Sequence, residues 1–230
     1  MKVLAFDTTG RGCSAALLDG SGAVLAHRTA AELERGHAER LMPMLREVLE
    51  ETKVAVGALG LIAVTTGPGA FTGIRIGLAA AHGLALASGV ALRGVTSFAA
   101  VAAAIDPEER ADRPLLVAID SRRVDIFVQH FAADGTASAP AVLPPAALAD
   151  WVPPGELALA GDAAEAAAAA LRAAGRAVVL SPRLGPPDAA HVGRAALAAW
   201  RAGEPGVPPQ PFYLRAPAVT LPRQPAAASP

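Results

Sequence analysis

The chain has 230 residues, enough for one large domain or two small ones, and 53% of them are apolar. Its 20 basic and 21 acidic residues leave a net charge of −1 with no basic run, which argues against a chain that grips tRNA or DNA by itself. One cysteine excludes an internal disulfide framework and fits a reducing cytosol.

The opening Met1-Lys2-Val3-Leu4-Ala5-Phe6-Asp7 has too few apolar residues before its carboxylate for a signal peptide. The longest apolar run, Ile74 to Val90, is interrupted by Arg75, Gly77, His82, Gly83 and Gly89, so no membrane span is expected. These features predict a cytoplasmic protein without membrane contact.

Val3 to Phe6 reads as a short strand ending in Asp7-Thr8-Thr9. Cys13 to Leu18 and Ala23 to His27 are the next two strands, joined by the hairpin signal Asp19-Gly20-Ser21-Gly22. A helix follows Arg35-Gly36-His37 and runs to about Thr52, with Pro43 expected to bend it. Its apolar residues are wider than one stripe, because Leu41, Leu45 and Val48 point one way and Met42 and Leu49 another. Such a helix is either fully buried or shared with a partner.

The run Leu61 to Thr66 leads into Gly67-Pro68-Gly69-Ala70-Phe71-Thr72-Gly73-Ile74-Arg75-Ile76-Gly77, and an Ala/Leu/Gly segment continues to about Ser88. That is strand, tight turn, helix, with Thr72 at the expected N-cap. Gly73, Gly77 and Ala81 recur every four residues and form a face thin enough for another helix to approach. A phosphate cradle is the competing reading of the turn. No Lys-Ser/Thr follows the glycines, however, and three residues separate Gly69 from Gly73 where the dinucleotide fingerprint has two. Ala91 to Val95 is a strand, Ser97 to about Ala104 a helix, and Asp106-Pro107-Glu108-Glu109-Arg110 a linker.

The second half begins like the first. Leu115 to Ile119 leads into Asp120-Ser121, Val124 to Phe131 is a strand, and Asp134-Gly135 is a hairpin signal. The aspartates lie 113 residues apart and the hairpin signals 115, a weak internal repeat at domain scale. Leu157 to Ala160 and Val178 to Leu180 are further strands. Asp162 is positioned to cap an alanine-rich helix to Ala174, and Asp188 a last helix to Trp200. Phe212-Tyr213-Leu214-Arg215 reads as a docking segment inside a proline-rich end, with Ala216 to Pro230 disordered. The expected domains are a first lobe, 1–105, a second, 111–215, and the tail, 216–230.

Paired Asp-hydroxyl turns, one per lobe, are how actin-like ATPases hold phosphates across a cleft. Glycine after each aspartate would let backbone N–H groups reach a phosphate. Here threonine (Thr8) follows Asp7, and Ser121-Arg122-Arg123 follows Asp120, so Asp7, Thr8 and Thr9 form at most a degenerate phosphate turn. His37 has no second histidine at i+4, and Cys13 stands in an apolar strand without a base. Neither a metal site nor a catalytic constellation is predicted. An actin-like ATPase or small-molecule kinase using Asp7 and Asp120 remains the enzyme alternative.

Leu4-Ala5-Phe6-Asp7-Thr8-Thr9, Arg35-Gly36-His37-Ala38-Glu39-Arg40-Leu41, the turn from Gly67 to Gly77 and Gly94-Val95-Thr96-Ser97 together resemble the TsaB (YeaZ) family. The likeness is dense to about Ala104. Beyond it rests on Ala118 to Arg122, Gly161-Asp162 and Tyr213-Leu214-Arg215. The resemblance implies an α/β, actin-like (ASKHA, ribonuclease H-like) two-lobed fold with mixed sheets and a decayed active site. It also implies a non-catalytic scaffold in forming N6-threonylcarbamoyladenosine in tRNAs that read codons beginning with A. The implied partners are the TsaD transferase and the TsaE ATPase, with a homodimer when alone. No resident cofactor is implied, and a nucleotide at the partner interface is left open. The association surface it implies is the first-lobe helix pair, mapping onto Leu41, Met42, Leu45 and Leu49 of one helix and Gly73, Gly77 and Ala81 of the other.

Overall fold

A computed structural model describes residues 1–31, 36–110, 112–204 and 209–215. Two five-stranded mixed sheets carry the fold. The first is built from β1 (Val3–Asp7), β2 (Cys13–Leu18), β3 (Val24–Ala30), β4 (Leu61–Gly67) and β5 (Leu92–Thr96), in the order β3-β2-β1-β4-β5. The second contains β6 (Leu115–Asp120), β7 (Ile126–Phe131), β8 (Ala141–Leu143), β9 (Leu157–Ala160) and β10 (Val178–Leu180), in the order β10-β9-β6-β7-β8. Read from the aspartate-bearing strand, the two orders are the same. β1 pairs antiparallel with β2 and parallel with β4, and β6 pairs antiparallel with β7 and parallel with β9. The weak repeat in the sequence is therefore a repeat of topology, and the fold is two-lobed α/β.

The central strands β1, β2 and β4 are largely apolar on both faces because both faces are covered. Leu4 and Phe6 point toward α1 (His37–Thr52) and α2 (Phe71–Ser88), where Leu41, Met44, Val48 and Ile74 meet them. Val3 and Ala5 point the other way, toward α7 (Ala189–Arg201), through Val192, Ala196 and Leu197. A one-residue slip of β1 would exchange these sets, crowding Leu4 and Phe6 against α7 and leaving voids beneath α1 and α2. The boundary expected at residue 111 does not follow the packing, since α7 comes from the later part of the chain yet covers the first sheet.

α3 (Ser97–Ala102) lies between the sheets. Ala100 joins the first sheet's core, while Phe98 and Val101 join Leu115, Val117, Ile119 and Phe127 of the second. The other face of the second sheet is closed by α5 (Leu148–Trp151) and α6 (Ala164–Ala173), and α4 (Pro107–Arg110) occupies the expected linker.

Several local expectations change. The N-cap of α2 is Ala70, with Thr72 exposed inside the helix, because the chain enters from an extended Ala70 two residues early. Asp162 does not cap α6; its Oδ1 accepts the Asp120 N–H at 2.8 Å and so ties the second lobe's turn instead. Asp188 does cap α7, accepting from the Ala190 N–H at 2.8 Å. By length and composition α2 is long and apolar enough to cross a membrane, with a mean hydropathy of 1.2 over 18 residues, contrary to the sequence reading. Arg75 is its one charged residue, so the interruptions do not lower the average far enough, yet one face is packed on β4. Arg35 and the tail 216–230 lie outside the described residues.

Candidate functional site

The two aspartate turns face one another across the gap between the sheets, and they are built differently. In the first lobe Asp7 ends β1 at 2% exposure, and Thr8 and Thr9 are equally buried. The Asp7 carboxylate accepts from the Thr65 hydroxyl, from the Thr9 hydroxyl at 2.7 Å and from the Thr9 N–H at 3.2 Å. Burial pushes its pKa up from 3.8 to about 6, and these hydrogen bonds only partly offset that. The Thr9 hydroxyl also lies 3.3 Å from that of Ser97, the buried first residue of α3.

Thr8, at the position where a phosphate turn needs glycine, donates its hydroxyl to the Gly73 carbonyl at 2.7 Å. The N-terminal turn of α2 sits directly on this arrangement, with the Ala70 N–H donating to the Thr9 carbonyl at 2.8 Å. A Cβ at Gly73 would lie 1.9 Å from the Thr8 carbonyl oxygen, and one at Gly77 would lie 2.5 Å from the Thr8 Oγ1. The glycine face of α2 is thin because its own Asp-Thr-Thr turn packs against it.

This overturns most of the expected interface. Gly73, Gly77 and Ala81 face inward, and Leu41 and Leu45 of α1 are buried with them in the first lobe's core. Met42 is half exposed, and Leu49 is partly buried at the edge of that core. The helix pair does retain an open face. Thr72, Ala79, Gly83, Ala87 and Leu86 point outward, Leu86 at 89% exposure, and Gly83 has nothing within 4 Å of an added Cβ. The small-residue stripe that is free is thus Ala79-Gly83-Ala87. Sequence alone could not separate two such stripes on one alanine- and glycine-rich helix.

The second turn is open to solvent. The Asp120 carboxylate accepts the Arg122 N–H at 2.7 Å and meets the Arg11 guanidinium at 3.5 Å, across the gap. Arg122, left-handed at φ 60°, sends its Nη2 to the Gly10 carbonyl at 2.8 Å. Arg11 and Arg122 therefore bridge the turns, and neither was singled out for this role by sequence reasoning. The space left among Thr9, Gly10, Arg11, Asp120, Arg122 and Asp162 is about 10 Å³, room for about one water.

Larger clefts flank this closure. One of about 680 Å³ lies between the first turn of α2, Arg122, Arg123 and the segment Phe212–Arg215, with His37 on its wall. The other, about 500 Å³, is lined by residues of both turns, Asp7, Gly10 and Arg11 of the first and Asp120 of the second, with Cys13 and Asp162 beside them. Among the described residues no group of three or more His, Cys, Asp or Glu side chains could hold a metal ion.

The model of the family described as "TsaD: tRNA N6-adenosine threonylcarbamoyltransferase" matches residues 24–183. The solved structure of YeaZ from Pseudomonas aeruginosa is 31% identical, with a TM-score of 0.72, covering 93% of this chain and 99% of that one. The chain belongs to the TsaB/YeaZ family. The tRNA threonylcarbamoyladenosine biosynthesis protein TsaB of Escherichia coli is 34% identical over 134 residues, 58% of this chain and 56% of the relative. The corresponding Haemophilus influenzae protein is 30% identical, the match covering 52% of it, so the chain spans about half the length of the curated relatives it matches. A ROK hexokinase from Thermus thermophilus, 16% identical with a TM-score of 0.51, shares the actin-like fold alone.

Proposed function

We propose that this TsaB/YeaZ chain is a non-catalytic subunit in the formation of N6-threonylcarbamoyladenosine in tRNAs reading codons that begin with A. In this reading it partners a TsaD-type transferase, joins the TsaE ATPase through that pair, forms a homodimer when alone, and makes no direct tRNA contact. The observation that carries the non-catalytic part is that each aspartate turn uses up its own backbone donors. A phosphate group needs open backbone N–H donors. Here the Thr9 and Arg122 N–H groups are taken by the carboxylates of their own turns, Asp7 and Asp120, and the Arg122 side chain lies on the Gly10 carbonyl. The pathway reading is supported by the names of the Escherichia coli and Haemophilus influenzae relatives.

Support for a docking face comes from the outer side of α1 and α2. On α2 the exposed residues carry a single charge, Arg75, around Ala79, Gly83, Leu86 and Ala87, and Met42 is exposed on the adjoining helix. Small residues let a partner helix approach closely, and Met42 and Leu86 supply apolar area. This corrected surface replaces the buried residues first expected there.

The test is reconstitution of tRNA modification from purified components with and without this chain. The expected result is strong stimulation by the wild type. Gly83→Leu, which adds bulk only on the open face, should lose both stimulation and co-elution with the transferase while keeping a native circular dichroism spectrum. Absence of stimulation by the wild type would sink the proposal. So would metal-dependent ATP turnover by the isolated chain that Asp120→Ala abolishes.

A further inference from the structure

The segment Pro209–Arg215 crosses both lobes. Its backbone is held by the first: His82 Nε2 lies 3.0 Å from the Pro209 carbonyl, and the Phe212 N–H donates to the Thr66 carbonyl at 2.8 Å. Gly67 and Gly94 are glycines where this segment passes, since a Cβ would lie 2.6 Å from the Phe212 carbonyl oxygen and 2.7 Å from the Pro209 Cβ respectively. Tyr213 stacks on Phe71 of α2 with ring centroids 4.9 Å apart and receives the Arg75 Nε at 3.1 Å.

The alternate side chains go elsewhere. Phe212 and Leu214 pack into the core that Phe98 of α3 shares with Leu115, Val117 and Phe127 of the second sheet. Arg215 pairs with Asp125 just ahead of β7 and lies over the Phe127 ring at 5.9 Å. A strap anchored by its backbone to one lobe and by its side chains to the other resists any change of angle between them.

We propose that Pro209–Arg215 is a clamp that holds the two lobes at one fixed angle, with Arg122 on Gly10 as a second fastening. Domain closure in two-lobed proteins requires a hinge free to change its backbone angles. Here the seam is crossed by a peptide hydrogen bond, two partly buried apolar side chains and two arginine contacts. The lobes move as one body, independently of whether the chain serves tRNA modification.

The test places spin labels at Glu50→Cys in α1 and Ala169→Cys in α6, with the buried native thiol removed by Cys13→Ala and labelled chain diluted with unlabelled chain. Pulsed dipolar spectroscopy should read one narrow distance with the clamp intact. In Phe212→Ala/Arg215→Ala that single distance should be lost to a broad distribution. A broad distribution in the clamp-intact protein would overturn the proposal, as would an unchanged narrow one in a double variant with a native spectrum. Should the double variant fail to fold, Asp125→Asn removes only the carboxylate that Arg215 meets. Broadening there supports the clamp, and an unchanged width overturns it.

Discussion

The two lobes carry the same strand order and the same strand-aspartate-hydroxyl turn, yet the turns have become opposite things. Asp7 is sealed under α2 with threonine hydroxyls on its carboxylate, whereas Asp120 is partly open to water and held by Arg122 and Arg11. The difference comes from what lies above each turn. In the first lobe, the glycine face of α2 descends onto Thr8; in the second, α6 begins at Ala164, and Asp162 ties to the Asp120 N–H from the side. A shared topology therefore does not fix the surroundings of the turns it places. The first turn is part of the core and the second part of the surface, and mutation should separate them.

The largest effect is expected at the helix above the first turn. Gly73→Ala puts a Cβ 1.9 Å from a backbone carbonyl that cannot move without disturbing Asp7 and Thr9. A loss of about 4 kcal/mol or more is expected, at the severe end for single substitutions. Gly83→Ala on the same helix, open around its Cβ, should instead gain about 0.5–1 kcal/mol from helix propensity. Urea unfolding of the two variants decides the matter. Equal costs would show that the inward and outward faces of α2 are wrongly assigned.

Next in size is the buried carboxylate. With a folded pKa raised from 3.8 to about 6, Asp7 keeps a proton in the folded state that the unfolded chain gives up. Stability must then fall as pH rises between about 4 and 6, since the folded form binds more protons there. Above that window the charged carboxylate costs roughly 3 kcal/mol, because each tenfold rise in proton affinity on folding is worth about 1.4 kcal/mol. Asp7→Asn removes the titration but weakens one backbone hydrogen bond, worth about 1 kcal/mol. The variant should be more stable than wild type by about 2 kcal/mol at pH 8 and flat from pH 4 to 6. A wild-type stability that rises across the window would mean that the Thr65 and Thr9 hydrogen bonds outweigh burial and hold Asp7 as the anion.

Much of this architecture was legible in the sequence, because most strands are short apolar runs ended by Asp, Gly or Pro. The repeat was visible because the aspartates and hairpin signals recur at nearly equal offsets. Nothing in the sequence showed that the Thr8 hydroxyl would reach the Gly73 carbonyl. What the sequence could not tell was which face of α2 is inside. Gly73-Gly77-Ala81 and Ala79-Gly83-Ala87 have the same spacing and nearly the same composition, so periodicity is silent between them. The packing of α7 on the first sheet was hidden for a similar reason. Chain order gives no hint that a helix following the second lobe's strands returns to the first, and Arg11 and Arg122 show their roles only once the turns face each other.

A smaller effect is expected at the join between α7 and β3. Asp188 caps α7 and holds His27 Nε2 at 2.8 Å. The hydrogen bond to Asp188 raises the His27 pKa above 6.5; burial works to raise that of Asp188, but its bond to His27 and the cap outweigh it and bring it below 3.8. The histidine's share of stability is present below its unfolded pKa of 6.5 and lost as pH rises through its raised folded value. The aspartate's share is present above 3.8 and lost as pH falls below it. Asp188→Ala should cost about 1–2 kcal/mol near pH 5, and only the smaller capping share once the histidine is neutral. A cost independent of pH would leave the cap and remove the ion pair from the account.

The smallest effect tests the second turn directly. Asp120 makes two charge-assisted contacts, to the Arg122 N–H at 2.7 Å and to the Arg11 guanidinium at 3.5 Å, but its side chain and that of Arg11 are solvated. Screened pairs of this kind contribute little, so Asp120→Ala should cost less than about 1 kcal/mol. Thermal unfolding of variant and wild type measures that cost. If Asp120→Ala instead matched the loss at Gly73, the second turn would be as deeply built into the fold as the first. The contrast between a core turn and a surface turn would then fail.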